Sequence, residues 1–503
     1  MNMNNEVLIV GAGPSGLAMA ISLSNQGVPY KIIDENEGPG SASRAMAIQA
    51  RVLEFYKQFG FADRVVEKGI VADTLNLYKD KKGIAKIPIG KIGNGMSPYP
   101  YVLTLPQDIH ERILVDELEK IGGEISWKQE LLRFKDDGDS VIATINTPDG
   151  EITKTFAYIC GCDGASSVVR KALDIDFPGG TYRQSFFVAD IENGTELKGA
   201  SMGFYDNYFC MGFPIRTTGQ LRLIGLIPEN LKVGSEAPKD FTALIPHVER
   251  ILPIQVKKVN WYSPYRSHHR VAEKFRLGRA FICGDAGHIH SPAGGQGMNT
   301  GISDALNLAW KLGAVMKGKA SSNILDTYEP ERIKFAQILV STTDKAFQIM
   351  TNSRIVKNFV IPFFAPKLLR FNALKKIMFK AISQTNLNYQ QSELSVGEYG
   401  AIKGGDRLPW INTSTINNFE PLKSYDWQIH VYGTITQNVK QLAYETGIPM
   451  YNVSWNKPMS AQGIKENSVF LVRPDSYVSV ATDFKNLDPI KNMIHKYSIR
   501  RLN

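Results

Sequence analysis

The sequence predicts an α/β protein. A discontinuous Rossmann-like dinucleotide-binding domain carries an antiparallel-sheet domain, and a smaller α/β unit follows at the C-terminus. Three observations carry the prediction. EVLIV runs into GAGPSG, then into the helical pattern LAMAISLSNQG and a second apolar run, YKIID, the order strand, tight turn, helix, strand. The same order of strand, Gly/Asp turn and helix returns far downstream in TFAYICGCDGASSVVRKAL and in RAFICGDAGHIHSPAGGQGMN. Between these, residues 181–230 alternate aromatic and polar residues (MGFYDNYFCMGFPI, then QLRLIGLIP), the period of antiparallel strands.

At 503 residues the chain exceeds what one growing core supports, so several domains are expected. The dinucleotide unit is assigned residues 1–72, 106–176 and 275–345, and the antiparallel sheet 73–105 and 177–274. A helical segment, 346–395, follows the helical patterns of 302–315 and 328–383. The block from 396 to 503 opens near GGDRLPW and contains the strand-like DWQIHVYG and SVFLVRPDSYVSVAT.

Composition narrows the function. The chain is 43% hydrophobic and 21% charged, an ordinary globular balance, and its net charge of +9 is scattered without a long basic tract. Mild help for anionic cofactors is expected, and no nucleic-acid partner. Cys160, Cys162, Cys210 and Cys283 form no CxxC pair, which excludes a zinc ribbon and a thioredoxin-type centre and suits a reducing, cytoplasmic setting. EVLIV begins so early that no signal peptide is expected, and no apolar run is long enough for an integral membrane segment. His288 and His290, with His268 and His269 upstream, lack the carboxylates or cysteines of a metal site, so no metal is expected.

The chemistry concentrates in the glycine turns. Gly11 permits the tight turn, Gly13 lets a pyrophosphate approach the backbone, and Gly16 lets helix pack on strand. Pro14 and Ser15 open a helix whose free N–H groups face a diphosphate. Asp34, with Glu35 beside it, ends the next strand where a ribose diol is accepted. These features mark a dinucleotide site without choosing between FAD and NAD.

The choice comes from CDGASSVVR (162–170), GDAGHIHSPAGGQGMN (284–299), SRA (43–45) and LPQ (105–107). Together they resemble the motifs of the class A flavoprotein monooxygenases, the aromatic hydroxylases typified by para-hydroxybenzoate hydroxylase, phenol hydroxylase and rifampicin monooxygenase, over roughly residues 5–345. The resemblance implies FAD, with Asp34 on the adenosine ribose and Arg44 and Gln107 on the phosphate and ribityl region. Asp163 would lie near the pyrophosphate, and Asp285, after Gly284, would hold a ribityl hydroxyl; Arg112 and Arg170 are neighbours. Pro292, Gly294, Gly295, Gln296, Gly297, Met298 and Asn299 would pass beside the isoalloxazine, with His288 in the same loop. A helix starting near Met298 would aim N–H donors at the charge of reduced flavin.

The resemblance also implies the reaction. NADPH or NADH, bound transiently without a second GxGxxG, reduces the flavin; O2 adds at C4a; and the flavin hydroperoxide hydroxylates an aromatic, phenolic or polyketide/antibiotic-like small molecule. Phe204, Tyr205, Tyr208, Phe209, Met211, Phe213, His288 and Pro292 are the pocket candidates, and strand alternation allows about half of the strand residues to face the flavin. No phenol-deprotonating base is identifiable. The C-terminal block resembles the thioredoxin-like appendage of phenol, rifampicin and polyketide hydroxylases, without its CxxC. A monomer or homodimer is expected. The competing readings are an FAD-dependent oxidase and a peripheral-membrane flavoprotein acting on a lipophilic substrate, the latter through the basic, apolar stretch 354–383. A halogenase is disfavoured because all six tryptophans stand apart, with no WxWxIP.

Overall fold

The computed structural model describes residues 5–40, 45–206, 208–216, 218–232, 236–291, 295–352 and 371–500. A parallel sheet runs in the order Arg276–Leu277, Ala280–Ile282, Tyr158–Gly161, Val7–Val10, Tyr30–Asp34, Ile125–Trp127, only its first strand being antiparallel. Val7–Val10 lies at its centre, paired in parallel with Tyr158–Gly161 and Tyr30–Asp34. Covered on both faces, such a strand reads as an unbroken apolar run, and all four residues of VLIV are buried. Helix Pro14–Asn25 packs between helices Gln107–Lys120 and Gly297–Met316.

The second sheet has eight strands, ordered His288–Ile289, Val256–Val271, Gly179–Asn193, Leu221–Leu226, Tyr208–Pro214, Ala200–Tyr205, Thr74–Lys79, Lys82–Pro88. The chain returns from it slightly before residue 106. Leu103–Thr104 already pairs with Ala47–Ile48 and Ile70–Val71 beside the parallel sheet.

In the C-terminal unit Gln428–Tyr432 pairs in parallel with Met450–Val453 and antiparallel with Ser468–Val472, which pairs in turn with Val478–Asp483. Helices Gln437–Thr446 and Asp488–Lys496 complete a thioredoxin-like α/β arrangement. Of the expected helical segment, the end of Tyr328–Asn352 and all of Asn372–Ser383 are helical; 353–370, the larger part of the basic, apolar stretch, lies outside the described residues. No described helix is long and apolar enough to cross a membrane.

Three buried imidazoles make the fold acid-sensitive. Burial depresses His110 and His430 to about 3 and His290 to about 4. Each therefore stays neutral in the folded chain while the unfolded chain protonates near pH 6.5. Between those values the unfolded state binds more protons, so stability falls as pH drops from about 6.5 toward 4, by up to about 1.4 kcal/mol per histidine per pH unit. Urea midpoints measured from pH 7.5 to 5 should fall steadily, and His430→Gln should flatten the slope.

Candidate functional site

Three segments distant in sequence meet at the start of the first helix. Gly11 has φ +99°, and a Cβ there would stand 2.5 Å from the Cys162 carbonyl oxygen. A Cβ on Gly16 would lie 1.9 Å from the Gly11 oxygen, so the turn closes only on two glycines. Gly284 packs its α-carbon toward the Ser15 hydroxyl and the α-carbon of Gly301, at 2.8 and 3.3 Å from where its Cβ would be. Gly13 differs from these: among the described residues nothing lies within 4 Å of its Cβ position, and its backbone is ordinary at φ −74°. The structure thus leaves an open notch at Gly13, facing the free N–H groups of a helix that begins with Pro14. An anionic diphosphate fits such a notch by shape and by charge.

Asp34 fixes the rim of this notch. One carboxylate oxygen accepts from Ala12 N at 2.7 Å, the other from the Asn36 backbone N at 2.9 Å and side-chain amide at 2.7 Å. Glu35 beside it is exposed. The α-carbon of Asp163 abuts Gly11. Its carboxylate, however, accepts from the backbone N–H of Val168 and Val169 at 2.7 and 3.1 Å, capping the helix Val168–Ala172. Burial pushes this carboxyl above its ordinary value. Asp163 thus lies near the notch with Oδ2 capping the helix and a buried Oδ1 that has no hydrogen-bond partner among the described residues. Arg170 donates to the carbonyls of Ala286 and Ala165.

Gln107 joins the neighbouring segment: its backbone N donates to the Ala45 carbonyl, and its side-chain carbonyl accepts from Ala45 N. Arg44, Pro292 and Gly294 lie outside the described residues. Asp285 is exposed in the short turn Gly284–Ala286.

The 280–297 segment crosses between the two sheets. It leaves the parallel sheet at Ile282, pairs with the antiparallel sheet through His288–Ile289, then enters helix Gly297–Met316 one residue before Met298. Gly295 takes φ +59° against Ala47, and the buried Asn299 staples the loop: it accepts from Gln49 N at 2.9 Å and donates to the carbonyls of Ala47 and Gly295. Met298 is partly buried against the core.

His288 does not face a pocket. Its Nε2 meets the Asp304 carboxylate at 2.7 Å, and the same carboxylate accepts from Gly284 N at 3.0 Å and Arg332 Nε at 2.6 Å. Burial alone would raise the Asp304 carboxyl, but Arg332 and His288 outweigh it and hold it below the usual range. Asp304 is thus the residue that ties the 284 turn to the helix, and sequence reading missed it. Its only signal is a lone carboxylate in the largely apolar TGISDALNLAWKLGAV. His290 was also passed over. Its Nδ1 donates to the Ser291 carbonyl at 2.7 Å, leaving a buried Nε2 with no hydrogen-bond partner among the described residues, 3.7 Å from the Cβ position of Gly297. Burial holds it near 4, so this nitrogen is a neutral acceptor at the mouth of the helix.

The sheet register sorts the pocket candidates. Met202 pairs with Met211, which pairs with Ile224; Phe204 pairs with Phe209; and Phe213 pairs with Arg222. These share one face, as the two-residue period requires. Met202, Met211, Phe213 and Ile224 remain half-buried, while Phe204 and Phe209 are buried in a cluster with Phe186 and Phe347. Arg222 grips Asp190 through two hydrogen bonds of 2.7 and 2.6 Å on the same face. Tyr205 and Tyr208 belong to the opposite face: Tyr205 lies under Arg250 at 4.0 Å, and Tyr208 meets the ring of His247. Among the described residues no group of three or more His, Cys, Asp or Glu is placed to hold a metal.

Known proteins share this design. A family model described as "FAD binding domain" matches residues 4–343. The 6-methylpretetramide 4-monooxygenase of Streptomyces rimosus is 32% identical over 78% of this chain and 71% of its own. A flavin-dependent monooxygenase of Mycobacteroides abscessus is 27% identical over 95% and 97%. The solved anhydrotetracycline hydroxylase of Streptomyces rimosus superposes with a TM-score of 0.79 at 25% identity, covering 98% of this chain and 99% of that one. The matched region contains both the Gly13 notch and the 284–299 turn, and so this chain belongs to the FAD-dependent aromatic hydroxylases, the class A flavoprotein monooxygenases.

Proposed function

We propose that the protein is an NAD(P)H-driven monooxygenase that hydroxylates an aromatic, phenolic or polyketide-like small molecule through a flavin hydroperoxide. The observation that carries the reading is the crossing of the 280–297 segment, which leads from the parallel sheet through a pairing with the antiparallel sheet to a helix N-terminus, together with the half-buried sheet face of Met202, Met211, Phe213 and Ile224. A flat, apolar substrate suits such a surface. The names of related enzymes acting on 6-methylpretetramide, anhydrotetracycline and pentachlorophenol support the substrate class.

When bound, the flavin supplies hydride acceptance and oxygen activation, and the chain supplies placement. The turn at Gly11, Gly13, Pro14, Ser15 and Gly16 would receive the pyrophosphate, and Asp34, with Glu35, the adenosine ribose. Arg44, Gln107 and Asp285 would hold the remaining phosphate and ribityl oxygens. Gly284, Pro292, Gly295, Gly297, Met298 and Asn299 would shape the wall beside the ring, and the start of helix Gly297–Met316 would stabilise negative charge there. The sheet face excludes water from the reacting edge of the substrate. The division at 1–72, 106–176 and 275–345, with 73–105 and 177–274 as the substrate sheet, 346–395 helical and 396–503 C-terminal, belongs to the same proposal. So do a cytoplasmic setting, supported by four unpaired cysteines, and a monomeric or homodimeric state.

The test is aerobic oxidation of NADPH and NADH by the flavin-loaded protein against a panel of phenols and polycyclic polyketides. Substrate-stimulated oxidation with a product heavier by one oxygen supports the reading. Substrate oxidation that consumes O2 without a nicotinamide means an oxidase instead. With an accepted substrate in hand, Met211→Ala should change kcat/KM by roughly tenfold or more, while Tyr205→Phe, on the far face, leaves it unchanged.

A further inference from the structure

A second cavity lies far from the flavin-side notch. It measures about 300 Å³ and opens where the C-terminal ends of helices Pro14–Asn25 and Gly297–Met316 meet the thioredoxin-like unit. The first helix alone spans 12 residues, so the cavity stands roughly 18 Å from Gly13. Its size and its place between two structural units are those of a small-molecule site.

Its walls are aromatic and its rim is cationic. Trp310 and Trp427 meet edge to face at 5.7 Å, with Tyr425, Pro449 and Pro474 continuing the surface. The Trp310 indole N–H is committed to Asp475 at 3.0 Å. The Trp427 N–H is buried without a partner among the described residues, a donor that a bound acceptor would satisfy. Lys317, Lys319 and Arg500 line the cavity against one described carboxylate, Asp426, which Lys319 already contacts at 2.7 Å. Lys317 and Arg500 are exposed and cap helix ends, Lys317 donating to the Gln26 carbonyl at 2.8 Å and Arg500 to the Gly318 carbonyl at 2.7 Å. Each keeps further donors for a second partner.

We propose that this cavity binds an organic anion with a flat aromatic body, such as an aromatic carboxylate or sulfonate, with the ring against Trp310 and Trp427 and the charge between Lys317 and Arg500. The site is distinct from the one proposed for the substrate. Its occupant would press on the far end of the helix whose first turn carries Gly297 and Met298, so binding there is expected to be felt at the flavin.

The test uses the FAD-loaded protein and 2-naphthalenesulfonate as probe, followed by isothermal titration calorimetry and by the flavin spectrum. The parent should bind the probe saturably, and Lys317→Glu/Arg500→Glu should weaken that binding at least tenfold while retaining flavin content. Trp427→Phe, which deletes the indole N–H, should weaken it severalfold. Unchanged affinity in the charge-reversed protein, or no saturable binding to the parent, overturns the proposal. Neither outcome depends on turnover, so failure here leaves the monooxygenase reading standing.

Discussion

Gly13→Ala should fold as the parent does and lose its flavin. Gly13 has a φ of −74°, which alanine adopts without strain, and no atom of the described residues lies within 4 Å of the added Cβ. The flavin-free variant should therefore match the flavin-free parent within about 0.5 kcal/mol in urea unfolding. The same methyl occupies the notch proposed for the pyrophosphate. Displacing a diphosphate from the N–H groups of a helix start costs several charge-assisted hydrogen bonds, each worth roughly 1.5–3 kcal/mol. Loss of two of them weakens FAD binding by about a hundredfold or more. Gly16→Ala should behave differently, because its Cβ would stand 1.9 Å from the Gly11 oxygen, so it destabilises the empty protein as well. The measurement is FAD titration of both apoproteins beside their unfolding curves. A Gly13→Ala protein that binds FAD like the parent would show that the pyrophosphate passes elsewhere.

The contrast between these two glycines marks how far the sequence is legible. GAGPSG after EVLIV carries the strand, the turn and the helix, since the apolar run and the glycine spacing are local signals. The antiparallel sheet was legible for the same reason: period-two alternation is written in MGFYDNYFCMGFPI. Which half of that alternation faces the flavin side was not, because register depends on pairing partners distant in sequence. Pairing Met211 with Met202 and Ile224 shows which residues share a face, with Tyr205 and Tyr208 on the other.

Residues that act through others were the least legible. His288 reads as part of the flavin-side loop in GDAGHIH, and its partner Asp304 sits two turns into the following helix, with Arg332 from the next one. Asp163 reads as a phosphate neighbour, and one of its carboxylate oxygens also caps its own short helix. In both cases the residue type was informative and its direction was not. Direction is set by which buried donors lack a partner, a property of the packed chain.

Arg473→Met should be among the most destabilising single changes in the protein, although Arg473 lies in the C-terminal unit, outside the matched family region. Its guanidinium is fully buried, meeting Glu331 at 2.7 and 3.0 Å and Asp475 at 2.9 and 2.6 Å. Burial alone would raise the Glu331 carboxyl, but Arg473 and Lys311 hold it well below the ordinary range. Lys311, 2.8 Å from Glu331, is pulled down to about 8, chiefly by burial and only partly restored by that carboxylate. Removing Arg473 leaves two buried carboxylates short of a partner, a loss of about 3–5 kcal/mol. The next residue along the helix, Arg332, holds Asp304, and Asp304 holds Gly284, so the loss should extend to flavin retention. Glu331→Gln should cost less in the Arg473→Met background than in the parent, because the ion pair it breaks is already gone. Urea unfolding of the four proteins of this cycle, each with its flavin absorbance, checks both points. Additive losses, or full flavin retention in Arg473→Met, would mean that the C-terminal unit merely rests on the flavin domain.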